Sequence, residues 1–198
     1  IMMEEANWFQ NLEGDIDSVH IDYLHGRLHF DQPLGGGIRG FYSIDRHPKL
    51  TVIPTDYGAL YSARRRWDDE ANYWHRISQF ILPFHTMIAA SAPDRVTLRS
   101  WVPIDDHYTL QIVQMGSLTG PFPEKDVESP THIFDIVGGF QPETSDPRSR
   151  YMTVANKRND YMRDFELEKT LQFCGIIFAG NLQDRAMTEL MCNEDGIE

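Results

Sequence analysis

The chain has 198 residues, 41% of them hydrophobic, which is enough for one substantial core and marginal for two. Eighteen basic against thirty acidic residues leave a net charge of −12, which argues against a nucleic-acid backbone as partner, because phosphate binding needs clustered Lys and Arg. No apolar run reaches the roughly eighteen residues a membrane helix needs, and no basic segment followed by an apolar one marks a secretory signal.

The opening "IMMEEANWF" reads as the entry into a helix rather than as a natural start, so the chain is expected to be one domain, residues 1–198, of a longer protein. The first 25 residues predict a helix whose apolar stripe is Leu12, Ile16, Val19 and Tyr23, at i, i+4, i+7 and i+11. Beside that stripe, Glu13, Asp17 and His20 fall at i, i+4 and i+7 and would share a face within about 60°. Polar groups at such a boundary are either solvated or bonded to one another or to a metal. His25 lies about 140° round from His20 on a regular helix, so the two imidazoles meet one ion only if the helix ends or bulges between them. His25 and His29, at i and i+4, pair better by geometry alone. Gly26 and the triple glycine at 35–37 stop the helix and mark a flexible connection.

From Lys49 to about Gly116 the period changes to two, with β-branched and aromatic residues separated by the turns "SAPDR" and "PIDDH". Strands joined this tightly are antiparallel. The run "ARRRW", Arg64 to Arg66, reads as an exposed strand end or a carboxylate-binding corner. Alternation places Trp74, Arg76, Ser78 and Phe80 on one face of a strand and Tyr73, His75, Ile77 and Gln79 on the other. If Arg76 points inward, its guanidinium suits a substrate carboxylate; outward, it is a solvated cation. Residues 116–150 lose all period and carry five of the eleven prolines, as a functional loop or partly disordered stretch would. A helix is then expected over "NDYMRDFELEKTLQFCGI", with Asn159 or Asp160 as its cap, and a last one over "NLQDRAMTELM", capped by Asn181. In that last helix Asp184 completes a near capping box with Asn181, unless it is a third ligand. His85, His107 and His132 carry no partner pattern and read as structural or exposed. The order is helix, antiparallel meander, long loop and two helices: an α+β fold with the sheet wrapped round a long helix.

Cys174 and Cys192 are the only cysteines, without Cys-x-x-Cys or Cys-x-His spacing, and predict a reducing, cytoplasmic compartment.

Beyond generic patterning, "NWFQNLEGDIDSVHIDYLH" resembles the iron-binding stretch of Rieske non-heme iron oxygenases, the ring-hydroxylating and O-demethylating family, and most closely its phthalate 4,5-dioxygenase type. The form E-x-x-x-D-x-x-H-x-x-x-x-H is matched by Glu13, Asp17, His20 and His25. "TDYGALYSARRR", "YWHRISQFILPF" and "NKRNDYMRDFELEKTLQFCGI" look like the same subgroup, and "NLQDRAMTELM" resembles the helix that supplies a carboxylate ligand, at Asp184. The resemblance runs through nearly the whole chain. It implies a helix-grip fold (the antiparallel sheet wrapped around helices) and a mononuclear Fe2+ held by His20, His25 and Asp184, a 2-His-1-carboxylate set with one face left open for dioxygen and an aromatic substrate. It also implies that the helix is irregular between the two histidines, that Asp17 bridges His20 to a Rieske [2Fe-2S] centre of a neighbouring subunit, and that Glu13 is a further outer-shell group. A reductase or ferredoxin donor and a homotrimer or hexamer follow from the same likeness. The chain departs from the family in having no Cys-x-His motifs, so the cluster is expected on a missing domain or a partner chain. Two other readings use the same residues: a helix-grip module that binds a small molecule without catalysis, and a zinc hydrolase built on His25 and His29, which lacks the glutamate base of H-E-x-x-H.

Overall fold

Seven antiparallel strands form a single sheet in the order β1-β7-β6-β5-β4-β3-β2 in the computed structural model of the chain. The structure describes residues 1–26, 45–67, 71–89, 94–122, 136, 138–176 and 180–191. The strands are β1 (Met2–Glu4), β2 (Lys49–Thr55), β3 (Gly58–Arg66), β4 (Tyr73–Ile81), β5 (His85–Ala89), β6 (Arg95–Pro103) and β7 (Thr109–Ser117). The meander β2 to β7 follows the period-two segments read from the sequence. Where β3 leaves the β2–β3 hairpin, Gly58 has φ +147°, and a Cβ there would meet the Phe80 carbonyl oxygen of β4 at 2.3 Å, so only glycine lets β3 start this close to β4. In "PIDDH" the Asp105 Oδ1 accepts from the backbone N–H groups of His107 and Tyr108, both at 2.8 Å, which is the side-chain mechanism expected of that turn. Most of "SAPDR" lies outside the described residues.

Helices α1 (Trp8–Ile16), α2 (His20–Leu24) and α4 (Gly180–Met191) pack on the inner face of the sheet or on each other, α1 lying against β4, β5, β6 and α4. A short α3 (Phe165–Thr170) and two 3-10 turns, Pro147–Ser149 and Lys157–Met162, complete the described elements. The result is an α+β helix-grip arrangement. Its apolar core beneath α4 is Ala155, Tyr161, Ile176, Leu182 and Ala186, with Cys174 against it. The inner face of the sheet is unusually polar: Arg65, Arg76, Ser78, Thr86 and Gln111 are all buried.

Three local expectations are corrected. The first residues do not enter a helix directly: Met2–Glu4 form the edge strand β1 beside β7, and α1 starts only after Asn7, whose side chain accepts from Phe9 N–H. The predicted helix over residues 1–25 is two helices. Asp17 turns extended (ψ 127°), its Oδ1 accepts from Val19 N–H at 2.8 Å and its Oδ2 from His20 N–H at 2.9 Å. A short acidic side chain that bonds the following backbone competes with helix continuation, and here it wins. Buried Arg65 secures the break by donating to Ser18 Oγ at 3.1 Å and to the Ser18 carbonyl. Hence the stripe does not persist: Leu12 is buried but Tyr23 is 45% exposed. Finally, the helix expected from Asn159 begins instead at Phe165, capped by Asp164. Asn159 serves a capping box with Asn156 in the 3-10 turn, while Asp160, Tyr161 and Met162 adopt left-handed φ of 49°, 55° and 57°.

Candidate metal centre

The break at Asp17 makes α2 a helix of five residues with a histidine at either end. His20 is its first residue and His25 its C-cap, with His25 N–H donating to the Ile21 carbonyl at 3.3 Å. The irregularity expected between the histidines therefore flanks them. From these two ends the rings converge, their centroids 5.1 Å apart at 75°. Asp184, in the second turn of α4, points at both. Its Oδ1 is 3.3 Å from His20 Nε2 and 3.1 Å from His25 Nε2, and the two Nε2 atoms are 3.3 Å apart. Among the described residues this is the one group of three side chains able to hold a metal ion. The capping-box role considered for Asp184 gives way to this approach, because α4 already includes Gly180 and Asn181.

Three donors fit a metal only if their mutual distances match its bond lengths. Cis positions around an octahedral ion with bonds of about 2.1 Å lie about 3.0 Å apart, so two imidazole nitrogens and one carboxylate oxygen at 3.1–3.3 Å fit one face of such an ion. The outer partners fit as well. His20 Nδ1 lies 3.1 Å from Asp17 Oδ2, and His25 Nδ1 lies 2.6 Å from Gln183 Oε1.

Charge follows the geometry. Burial alone would raise the Asp184 carboxyl, but the His25 and His20 imidazoles hold it far below the usual carboxylate range. Burial would likewise lower His20, yet hydrogen bonds to Asp17 and Asp184 hold it up at about 9. Asp17, raised by burial and lowered by its bonds to the His20 side chain and to the Val19 and His20 backbone, ends at about 2.

The centre opens on a cavity of about 780 Å³, lined among others by Asn11, Asp17, Arg99, Trp101, Phe173 and Met187. Glu13 also lines it; its exposed carboxylate has no hydrogen-bond partner among the described residues, and the helix break separates it from the face expected to hold Asp17 and His20. Arg76 points inward and is 5% exposed, two strands from Arg99 on the same sheet face. Among the described residues its Nε and Nη1 have no hydrogen-bond partner, while the guanidinium and the neighbouring Ser78 hydroxyl face the Tyr61 hydroxyl. Arg76 is not among the residues lining the cavity. Of the run Arg64 to Arg66, Arg65 is buried and besides Ser18 donates to the Asp45 carbonyl at 3.0 Å, while Arg66 at the strand end is exposed, its Nε 4.0 Å from Asp45 Oδ2. His85 bonds Ser100 Oγ at 2.8 Å, His107 sits in the β6–β7 turn, and His29 and His132 lie outside the described residues, with them the zinc pair of His25 and His29. Sequence reasoning missed Gln183, which has no period or motif of its own, and the buried pair of Asp15 with Arg99, in which Asp15 also accepts from Thr86.

A family model described as "LigXa C-terminal domain like" matches residues 1–194. Two curated relatives are similar: the 3-chlorobenzoate-3,4-dioxygenase oxygenase subunit of Comamonas testosteroni, 29% identical over 96% of this chain and 45% of that one, and the phthalate 4,5-dioxygenase oxygenase subunit of Pseudomonas putida, 31% identical over 92% and 41%. The chain thus spans less than half the length of these relatives. A solved structure of the quaternary ammonium Rieske monooxygenase CntA, bound to an inhibitor, aligns with 13% identity and a TM-score of 0.42, over 66% of this chain and 32% of that one. No helix among the described residues is long and apolar enough to cross a membrane.

Proposed function

The chain belongs to the LigXa C-terminal domain-like family, and from that premise we propose that it is the single catalytic domain of an aromatic-ring oxygenase, hydroxylating or O-demethylating its substrate. The observation that carries this reading is the meeting of His20, His25 and Asp184 from two distant parts of the chain. An iron(II) ion held there by His20, His25 and Asp184 would supply dioxygen activation, and the adjoining cavity would take the substrate. The chain's own residues do the rest. Asp17 accepts from His20 Nδ1 and turns its other nitrogen inward, Trp101 and Phe173 offer apolar walls to a ring, and Glu13 adds negative charge at the rim. Electrons would come from a Rieske [2Fe-2S] cluster outside this sequence, reaching the centre past Asp17. A reductase or ferredoxin donor, a homotrimer or hexamer, and a cytoplasmic location belong to the same reading.

Both curated relatives are named for aromatic carboxylates. Arg76, buried on the inner sheet face two strands from the cavity-lining Arg99, is the cation this reading assigns to such a group, because a guanidinium edge matches a carboxylate. Anaerobic titration of the full chain with Fe2+ tests the centre: one ion per chain is expected in the wild type and none in His20→Ala. A wild type that takes up no metal would leave the non-catalytic binding module as the better reading. With metal bound, Arg76→Leu is expected to weaken benzoate about 10- to 100-fold, as loss of a charged hydrogen bond does, without changing metal stoichiometry. Unchanged benzoate affinity removes Arg76 from the site.

A further inference from the structure

The partner of His25 is defined by a chain of hydrogen bonds that admits one proton arrangement. Gln183 is 1% exposed, and its Nε2 donates to the Ile176 carbonyl at 2.8 Å. A backbone carbonyl only accepts, so the amide NH2 end is committed to it and Oε1 is the end 2.6 Å from His25 Nδ1. An amide oxygen also only accepts. His25 Nδ1 therefore carries the N–H, and the Nε2 lone pair is directed at the point shared with His20 and Asp184. We propose that Gln183 is a positioning residue that fixes the tautomer and ring plane of His25, and that the contrast between its neutral amide and the Asp17 carboxylate makes the two imidazoles unequal donors to the metal. The inference rests on the reading that the three-residue centre holds a divalent ion.

Two further features support it. A carboxylate acceptor draws an imidazole toward imidazolate and strengthens it as a ligand, whereas an amide leaves it neutral. Counting a divalent ion, Asp184 and Asp17, the assembly is neutral with glutamine at 183, and a glutamate there would bury one uncompensated negative charge. Gln183 also immediately precedes Asp184 on α4 and is tied to Ile176, which packs in the core, so the ligand and the other ligand's partner move together with the first turns of one helix.

The experiment loads the full chain with Co2+ and records its paramagnetic proton spectrum in H2O and D2O, with the Co2+ dissociation constant measured by competition with a chelator. The wild type is expected to show two hyperfine-shifted, solvent-exchangeable signals, one from each Nδ1–H. In Gln183→Leu the His25 signal is lost to fast exchange, the His20 signal stays, and Co2+ binds about 10- to 100-fold more weakly. Gln183→Glu keeps both signals, displaces that of His25 and binds Co2+ more tightly than the wild type. The inference is overturned if Gln183→Leu keeps both signals with affinity within about twofold of the wild type. It is equally overturned if Gln183→Glu changes neither signal nor affinity, and that arm decides alone should the leucine variant not fold. A wild type that takes up no Co2+ fails earlier, and then it is the metal reading itself that falls.

Discussion

One carboxylate, Asp17, serves three donors at once: Val19 N–H, His20 N–H and the His20 ring. Two of these form the turn that leads into α2 and one aims the ligand, so that turn and the candidate metal centre share an atom, Oδ2. In Asp17→Asn the amide cannot accept on both sides. Metal is expected to remain bound while the turn before α2 weakens by about 1 kcal/mol, read as a lower melting temperature of the metal-free chain, and under the proposed function electron delivery would slow. Normal turnover in that variant would count against the bridging role. The sequence predicts Asp17 and His20 as neighbours on one helix face, and they do meet, but through the turn that the Asp17 side chain builds at the helix break. Asp184 could not be read from its local sequence alone, since an acid three residues after Asn181 is what a helix start also calls for. Only the approach of α4 to α2, a tertiary event, tells a ligand from a cap.

The elements show the same division. The β2–β7 meander was readable from alternation and turn chemistry, because both act within a few residues. The strand β1 was not: its three residues are buried on every side, Glu4 among them, and a fully buried strand has no alternating pattern to detect. The helix break was hidden because the apolar spacing continues straight through it, while the deciding contacts come from Arg65, 47 residues further on. Glu4 gives β1 a pH signature. Burial, opposed by Arg185 and Arg99, raises its carboxyl to about 8, and Oε1 has no hydrogen-bond partner among the described residues. The folded chain thus keeps a proton there that the unfolded chain releases near its ordinary value of 4.5, so stability falls as pH rises from about 4.5 to 8. Glu4→Gln is expected to be more stable than the wild type at pH 8 to 9 by a few kcal/mol on the order of magnitude, with the gap closing toward pH 5, as checked by urea unfolding across that range. Parallel stability curves would show that the carboxyl titrates normally.

For the molecule as a whole, the fold class and the residues that converge were legible because they rest on periodicity and on a motif spread along the chain. What escaped was the interior of the sheet. The buried arginines 65 and 76 look in sequence like surface charge, and pairings such as Arg65 with Ser18 or Arg99 with Asp15 reveal themselves only once the sheet has curled over α1. The centre then has a mechanical meaning. His25 and Gln183 are separated by 158 positions, and nearly the whole sheet lies between α2 and α4. An ion shared by His25 and Asp184 therefore works as a reversible staple across a loop of that size, a constraint worth up to about 5 kcal/mol in the entropy of the unfolded chain by analogy with a disulfide. Chelation should accordingly speed amide hydrogen exchange throughout Gly180–Met191 by more than tenfold while leaving β3 and β4 nearly unchanged, and uniform exchange would mean that α4 is anchored without the ion. Without an ion at that centre, the chain would lose its hold on Gly180–Met191 before it lost its sheet, and proteases would find that helix first.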